Sequence, residues 1–338
     1  MMRRPSPTMR DVAEHAGVSV QTVSYVVNGT GNISDETRHR VLHSIEELNY
    51  RRNPIARSMR TQQTRMIALI ILDISNPVLS MIASTIESAA YAQDYHVLLY
   101  NTAHDSAREQ VYLQEIGNRR ADGVIIVNTI NRDNMTLLTA DGVPTVLIDS
   151  SLLPSPVPVV SVDNSAGAYR ATQHLIELGH RRIAHIAGSR DLGIARERQL
   201  AYDRAVSDSD LAYRRVVYAH IIQWGYESGY VAMRELLADE ERPTAIFAAS
   251  DALAIGAYRA LAEAGLRVPD DMSVVGFDNI EASAFTAPPL TTVHQPFSEI
   301  GRQAFSLLLS MLDGEQRNPS NVLLPAELIL RESTREAR

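Results

Sequence analysis

From Arg65 onward, short apolar runs alternate with longer amphipathic stretches, and this limits the fold more than any other feature of the 338-residue chain. "MIALIILD", "YHVLLYNT", "DGVIIVNT" and "VPTVLIDS" come first; "RRIAHIAG", "TAIFAAS" and "DMSVVGFD" come later. Between them lie "ASTIESAAYAQ", "AGAYRATQHLIELG", "SGYVAMRELLAD" and "ALAIGAYRALAEAG", with apolar residues at helical spacing. Alternation of this kind predicts parallel sheets with helices on both faces. One small sheet cannot hold so many strands, so two doubly wound lobes of about four to six strands each are expected. Ligands of such folds bind beyond the carboxyl ends of the strands. Those ends carry Asp73, Asp149, Ser250 with Asp251, and Asp278.

The first 64 residues are different. Thr8 and Asp11 form a helix-start signal before "VAEHA", and Gly17 breaks that helix. Ser19 is placed to cap a second helix to about Val27. "NGTGNI" reads as a loop, and Ser34 is placed to cap "DETRHRVLHSIEELN", with Val41, Ile45 and Leu48 on one face. In "RRNPIARSMRTQQT", Asn53 and Pro54 start a helix of about two turns, too short to be stable alone in water. Helix, glycine turn, helix is the helix-turn-helix plan, whose second helix reads DNA. By pattern alone, a three-helix bundle that merely caps the body fits as well.

Charge separates the two regions. Residues 1–65 hold ten arginines against six acids, a net of +4 on a chain of −8. A basic head on an acidic body suggests that only the head meets a polyanion. All 32 basic residues are arginine and there is no cysteine, which rules out disulfides and cysteine-ligated zinc. No apolar run is long enough to span a bilayer, and no apolar stretch follows the charged N-terminus. A cytoplasmic protein is therefore expected, with no membrane partner. Enzyme motifs are missing: no dinucleotide or phosphate glycine loop, no H-E-x-x-H and no cysteine nucleophile. The ten histidines are scattered without metal-ligand spacing, so neither a metal nor a cofactor is expected.

The segment "MRDVAEHAGVSVQTVSYVVNGTGNISDETRHRVLHSIEELNYRRNPIARSMR" resembles the head of the lactose-repressor family of bacterial transcription regulators. The A-G-V-S turn, T-V-S-x-V-x-N, S-x-x-T-R and L-N-Y-x-x-N carry the likeness. "VDNSAGAYRATQHLIELGHRRIAHIAG", "SDALAIGAYRALAEAGLRVPDDMSVVGFDN", "PPLTTVHQP" and "AELILREST" extend it over essentially the whole chain. The resemblance implies an all-α helix-turn-helix head at 1–50, a hinge at 51–64 and a periplasmic-binding-protein-like α/β body at 65–338. The first lobe would span about 65–161 and 292–324, and the second about 162–291 and 325–338.

It also implies roles. Val20, Gln21 and Tyr25 would read bases, with Ser19, Thr22 and Asn28 near phosphates. Position 25 departs from the commoner arginine, and Tyr25 cannot make arginine's two-pronged contact with guanine. In the hinge, Ile55, Ala56 and Met59 would enter the minor groove, with Met59 as an apolar wedge where leucine is usual. Ser75, Asn76, Asp149, Arg198, Trp224, Ser250, Asp278, Gln295 and Phe297 would surround a small-molecule effector between the lobes. Ser250 stands where asparagine is frequent, Asp251 is expected to cap the next helix, and Val78 replaces a common aromatic. The implied protein is a non-enzymatic repressor acting as a homodimer on a near-palindromic operator. Its effector would be a sugar or sugar derivative or, alternatively, a purine or other non-sugar metabolite. With no heptad tail after "LREST", a dimer rather than a tetramer is expected.

Overall fold

The computed structural model describes residues 7–50, 63–129, 138, 142–148, 154–219, 224–315 and 320–337. It divides into one compact unit over Met1–Thr64 and a second over Arg65–Arg338.

The first unit contains α1 (Met9–Ala16), α2 (Val20–Asn28) and α3 (Asp35–Glu47). Thr8 and Asp11 close a reciprocal capping box at the start of α1, and Gly17 (φ +62) ends it. The Ser19 hydroxyl accepts from Thr22 N at 3.0 Å and so caps α2. Val12, Ala13, Ala16, Val23, Val26 and Val41 form the buried core, with Val18, Val27, Ile45 and Leu48 packed around it. His15 on α1 bonds Ser44 on α3 through Nδ1 (3.1 Å), fastening the outer pair of helices.

The second unit holds two six-stranded sheets. The first contains β1 (Met66–Ile71), β2 (His96–Asn101), β3 (Gly123–Val127), β4 (Thr145–Ile148), β5 (Val159–Val162) and β11 (Val322–Leu324), in the order β11-β5-β4-β3-β1-β2. The second contains β6 (Ile183–Ala187), β7 (Arg215–Tyr218), β8 (Ala245–Ala248), β9 (Ser273–Asp278), β10 (Thr291–His294) and β12 (Glu327–Ile329), in the order β12-β10-β9-β8-β6-β7. Every pairing is parallel except β10 with β12. Six of these strands, β3, β4, β5, β6, β8 and β9, are buried throughout, as parallel strands covered on both faces must be.

The chain crosses between sheets after β5, after β10 and after β11. Strand β10 lies in the second sheet, beside β9, although its Thr292–His294 portion was expected in the first lobe; the crossing falls after His294. Helix α4 (Pro77–Tyr91) and the last helix, α10 (Phe297–Leu312), pack together on the first sheet. In the second lobe α6 (Asn164–Glu177) packs on α7 (Gly193–Asp208), and α8 (Tyr226–Ala238) on α9 (Asp251–Glu263). Also in the first lobe, α5 (Ser106–Glu115) follows β2. No described helix is long and apolar enough to cross a membrane.

Candidate functional site

The outer surface of α2 is uncharged and polar-aromatic. Val20 is 46% exposed and Tyr25 37%, and Gln21 is exposed between them. Val23 and Val26 face inward, so burial of the valine stripe dictates which residues face out. Gln21 Nε2 donates to the Tyr25 hydroxyl at 2.9 Å. The Ser19 and Thr22 hydroxyls bond each other at 2.9 Å beside the helix N-terminus, whose backbone N–H groups favour anions. Asn28 is half-buried, and its Nδ2 donates to Ser24 O and Ser24 Oγ. Arg10 and Arg40 stand exposed on the flanking helices. The hinge residues Ile55, Ala56 and Met59 lie outside the described residues.

In the second unit a cavity of about 240 Å³ lies between the lobes, at the carboxyl ends of strands from both sheets. Of the residues expected there, Ser75, Asn76, Arg198, Trp224, Ser250, Asp278 and Gln295 line it. Asp149 lies outside the described residues. Phe297 is corrected: it is 3% exposed and belongs to the core of the first lobe rather than the lining. As the first residue of α10, it follows the second crossing between the lobes and anchors that helix beside Ile300 and Ala304.

The second-lobe wall is a buried polar network. Arg198 Nε donates to Asn164 Oδ1 (2.9 Å), and its Nη1 donates to Ala249 O (2.6 Å) and reaches Asp278 Oδ1 (3.5 Å). Its guanidinium lies 3.7 Å from the centre of the Phe277 ring and 5.4 Å from that of Trp224. Gln295 Nε2 donates to Asp278 Oδ1 at 2.6 Å. Asn164 Nδ2 donates to Glu197 and to Val162 O. Burial disfavours both charges of the central pair, lowering the pKa of Arg198 and pushing Asp278 up to about 6 against the pull of Arg198. Trp224 is seated by Gly188, where a Cβ would come within 2.5 Å of the indole. No larger residue fits beneath that ring.

Ser250, rather than Asp251, caps the next helix. The Ser250 hydroxyl caps α9, accepting from Leu253 N. Asp251 is fully buried, accepting from Ile280 N (2.9 Å) and from the Thr292 hydroxyl. It ties α9 to the segment after β9. Burial, reinforced by the negative charge of Asp278, pushes its pKa up to about 8.

The first-lobe wall is mostly apolar, with Leu72, Val78, Leu79, Ile82, Val127 and Ile148 facing the cavity. Its expected polar contacts are engaged locally: the Ser75 hydroxyl donates to Asp73, and Asn76 Oδ1 accepts from Val78 N to cap α4. Sequence reasoning missed His104, which lines the cavity after β2 with a buried Nδ1 that has no partner. Burial lowers its pKa against the pull of Asp73, keeping the imidazole neutral. A lone histidine carries no spacing signal, so only the fold could reveal it. Asn164 was also missed, for the same reason. Among the described residues, no group of three or more His, Cys, Asp or Glu could hold a metal ion.

Residues 8–53 match the family model for bacterial regulatory proteins of the lacI family, and residues 172–334 match that for a periplasmic binding protein-like domain. The chain is 37% identical over 337 residues to the HTH-type transcriptional repressor PurR of Actinobacillus pleuropneumoniae, covering 97% of this chain and 98% of that one. It is 33% identical over 328 residues to the ribose operon repressor of Haemophilus influenzae, covering 96% and 98%. The crystal structure of the lac repressor dimer bound to operator and the anti-inducer ONPF superposes with a TM-score of 0.89 at 31% identity, covering 98% of this chain and all of that one. The relatives are transcriptional repressors rather than enzymes. With three helices in the head and a cleft between two lobes of the body, this chain belongs to the lacI family of bacterial regulatory proteins, DNA-binding transcriptional regulators with small-molecule effectors.

Proposed function

We infer that this regulator is a repressor whose operator affinity is set by an uncharged, hydroxyl-rich effector, a sugar or sugar derivative, held in the interlobe cavity. One observation carries this reading: Arg198 is the only arginine among the described lining residues, and its guanidinium is already engaged by Asn164, Ala249 and Asp278. A phosphate or carboxylate would find no spare cation there. A sugar hydroxyl can instead donate to Asp278 and pair with Gln295 or His104, while Trp224 covers an apolar face of the ring. Asp149 and Ser250 complete the proposed ring of contacts, with Ser75 and Asn76 shaping the rim.

In the head, Val20, Gln21 and Tyr25 face the major groove, and Ser19, Thr22 and Asn28 lie near phosphates. Ile55, Ala56 and Met59 are assigned to the minor groove. The protein acts as a homodimer on two half-sites, a reading supported by the dimeric lac repressor on its operator. Control requires that the effector bind the operator-competent and operator-free arrangements with different affinity. The flat face of Trp224 opposite an apolar wall favours a second reading, a nucleobase effector.

The test is a thermal-shift panel of D-ribose, cellobiose, D-galactose, hypoxanthine, guanine and ribose 5-phosphate, with operator binding followed by fluorescence anisotropy. A neutral sugar is expected to raise the unfolding midpoint and change operator affinity. A response to the nucleobases alone selects the second reading. A response to ribose 5-phosphate alone rejects an uncharged effector.

A further inference from the structure

Gln21 and Tyr25 form a unit on the outer face of α2. The Gln21 Nε2–Tyr25 hydroxyl bond, 2.9 Å long, spans one helical turn. The tyrosine ring is in turn held from behind. Gly29 ends α2 in the left-handed conformation, Thr30 N donates to Tyr25 O at 3.0 Å, and the chain folds back so that Gly31 meets the ring. A Cβ at Gly31 would stand 3.0 Å from Tyr25 Cγ and 3.2 and 3.3 Å from Cδ2 and Cδ1. With φ at +78°, position 31 also favours glycine on backbone grounds. The stretch "NGTG" is therefore a platform for the ring, and the ring's hydroxyl is a fixed acceptor for the amide.

A glutamine free on a helix surface samples many rotamers and can turn its amide either way round. The bond to Tyr25 commits one Nε2 hydrogen. It leaves for DNA the other hydrogen and Oε1, an adjacent donor and acceptor. Adenine offers the complement in the major groove, an N7 acceptor beside an N6 donor. Guanine offers two acceptors at the same edge and does not match.

We propose that Tyr25 is a positioning residue that presets Gln21 to read adenine, rather than a group that selects a base itself. The proposal rests on the reading that the outer face of α2 meets the major groove. Ordering the amide before encounter removes rotamer entropy that would otherwise be lost on binding. It also gives the departure from arginine at position 25 a definite consequence.

The test is selection of sites from randomised duplex DNA by the full chain, its Gln21→Met variant and its Tyr25→Phe variant. The wild type is expected to enrich adenine at one base pair of each half-site, and Gln21→Met to lose that preference. Tyr25→Phe keeps the ring on Gly31 and removes only the hydroxyl. It is expected to weaken the adenine preference at that same base pair roughly tenfold, with much smaller changes at the other positions of the half-site. A merely structural tyrosine would weaken all positions together, and that result overturns the proposal. So do an unchanged Tyr25→Phe motif, a change at a different base pair, or guanine at the pair that Gln21 reads. A wild type that enriches no site, or a site indifferent to Gln21→Met, overturns the reading of α2 as the recognition helix, and the proposal with it.

Discussion

The two walls of the cleft are built on opposite plans. On the second lobe, Arg198, Asp278, Asn164 and Gln295 are joined by hydrogen bonds into a buried network. On the first lobe the wall is mostly apolar, with Asp73, Asn128 and Ser161 also in the lining; Ser75 and Asn76 are spent on a turn and a helix cap, and His104 offers a buried atom without a partner. The difference teaches a division of labour. The second lobe supplies polar groups that hold one another in place, whereas the first supplies apolar surface that favours burial against a ligand.

The hardest test of that contrast is Arg198→Met. Removing one partner of a buried charged network leaves Asp278 without its countercharge and Asn164 Oδ1 without its donor, and about 3–5 kcal/mol of stability should be lost in urea unfolding. Val78→Ala on the other wall should cost well under half as much, because it removes only part of an apolar contact. If the two variants are equally destabilised, the walls do not differ as described.

Asp251 sharpens the contrast through pH. Its pKa is raised from 3.8 to about 8, so folding favours its neutral form. The stability it contributes is complete below about pH 4 and is lost as pH rises through about 8. Asp251→Asn, whose amide can still accept from Ile280 N while the Thr292 hydroxyl turns to accept, should flatten the fall in urea midpoint between about pH 6 and 8. An unchanged slope would mean that the carboxyl is not held neutral.

The smallest expected effect is at His104. Loss of one hydrogen bond to effector in His104→Ala should weaken binding by about 1 kcal/mol, or roughly fivefold, in calorimetry with whichever compound the thermal panel identifies. His104→Asn, which keeps a polar atom near the Nδ1 position, should recover part of it. Equal affinity for all three proteins would make the first-lobe wall wholly apolar in function.

The head was legible in the sequence because its signals are local. Thr8, Gly17, Ser19 and Ser34 are caps or breaks, and each acts within four residues of its own position. Seven body strands were legible as apolar runs, but β5, β7, β10, β11 and β12 were not picked out. The last two are only three residues long, and β7 and β10 carry Arg215 or Thr291, Thr292 and His294. Helix α7 was hidden for a functional reason: it buries Glu197 and Arg198 where an ordinary amphipathic helix would bury aliphatic residues. The cleft's polar wall thus erased the very periodicity that would have announced its scaffold. Phe297 was misplaced because two positions separate it from Gln295, yet a helix begins between the cavity and the core. That Ser250 rather than Asp251 caps α9 depends on the partners Asp251 finds, Ile280 and Thr292, far along the chain.

Helix α2 has no ionised side chain anywhere along its length. Counterions released when this protein lands on DNA must then come from phosphates met by arginines elsewhere, such as Arg10 and Arg40. Raising the salt should therefore lower the affinity for every site by about the same factor, while the ratio of affinities between a good operator and a poor one stays nearly constant. The cell's ionic strength sets how much of this regulator is on the chromosome, but not where it prefers to sit.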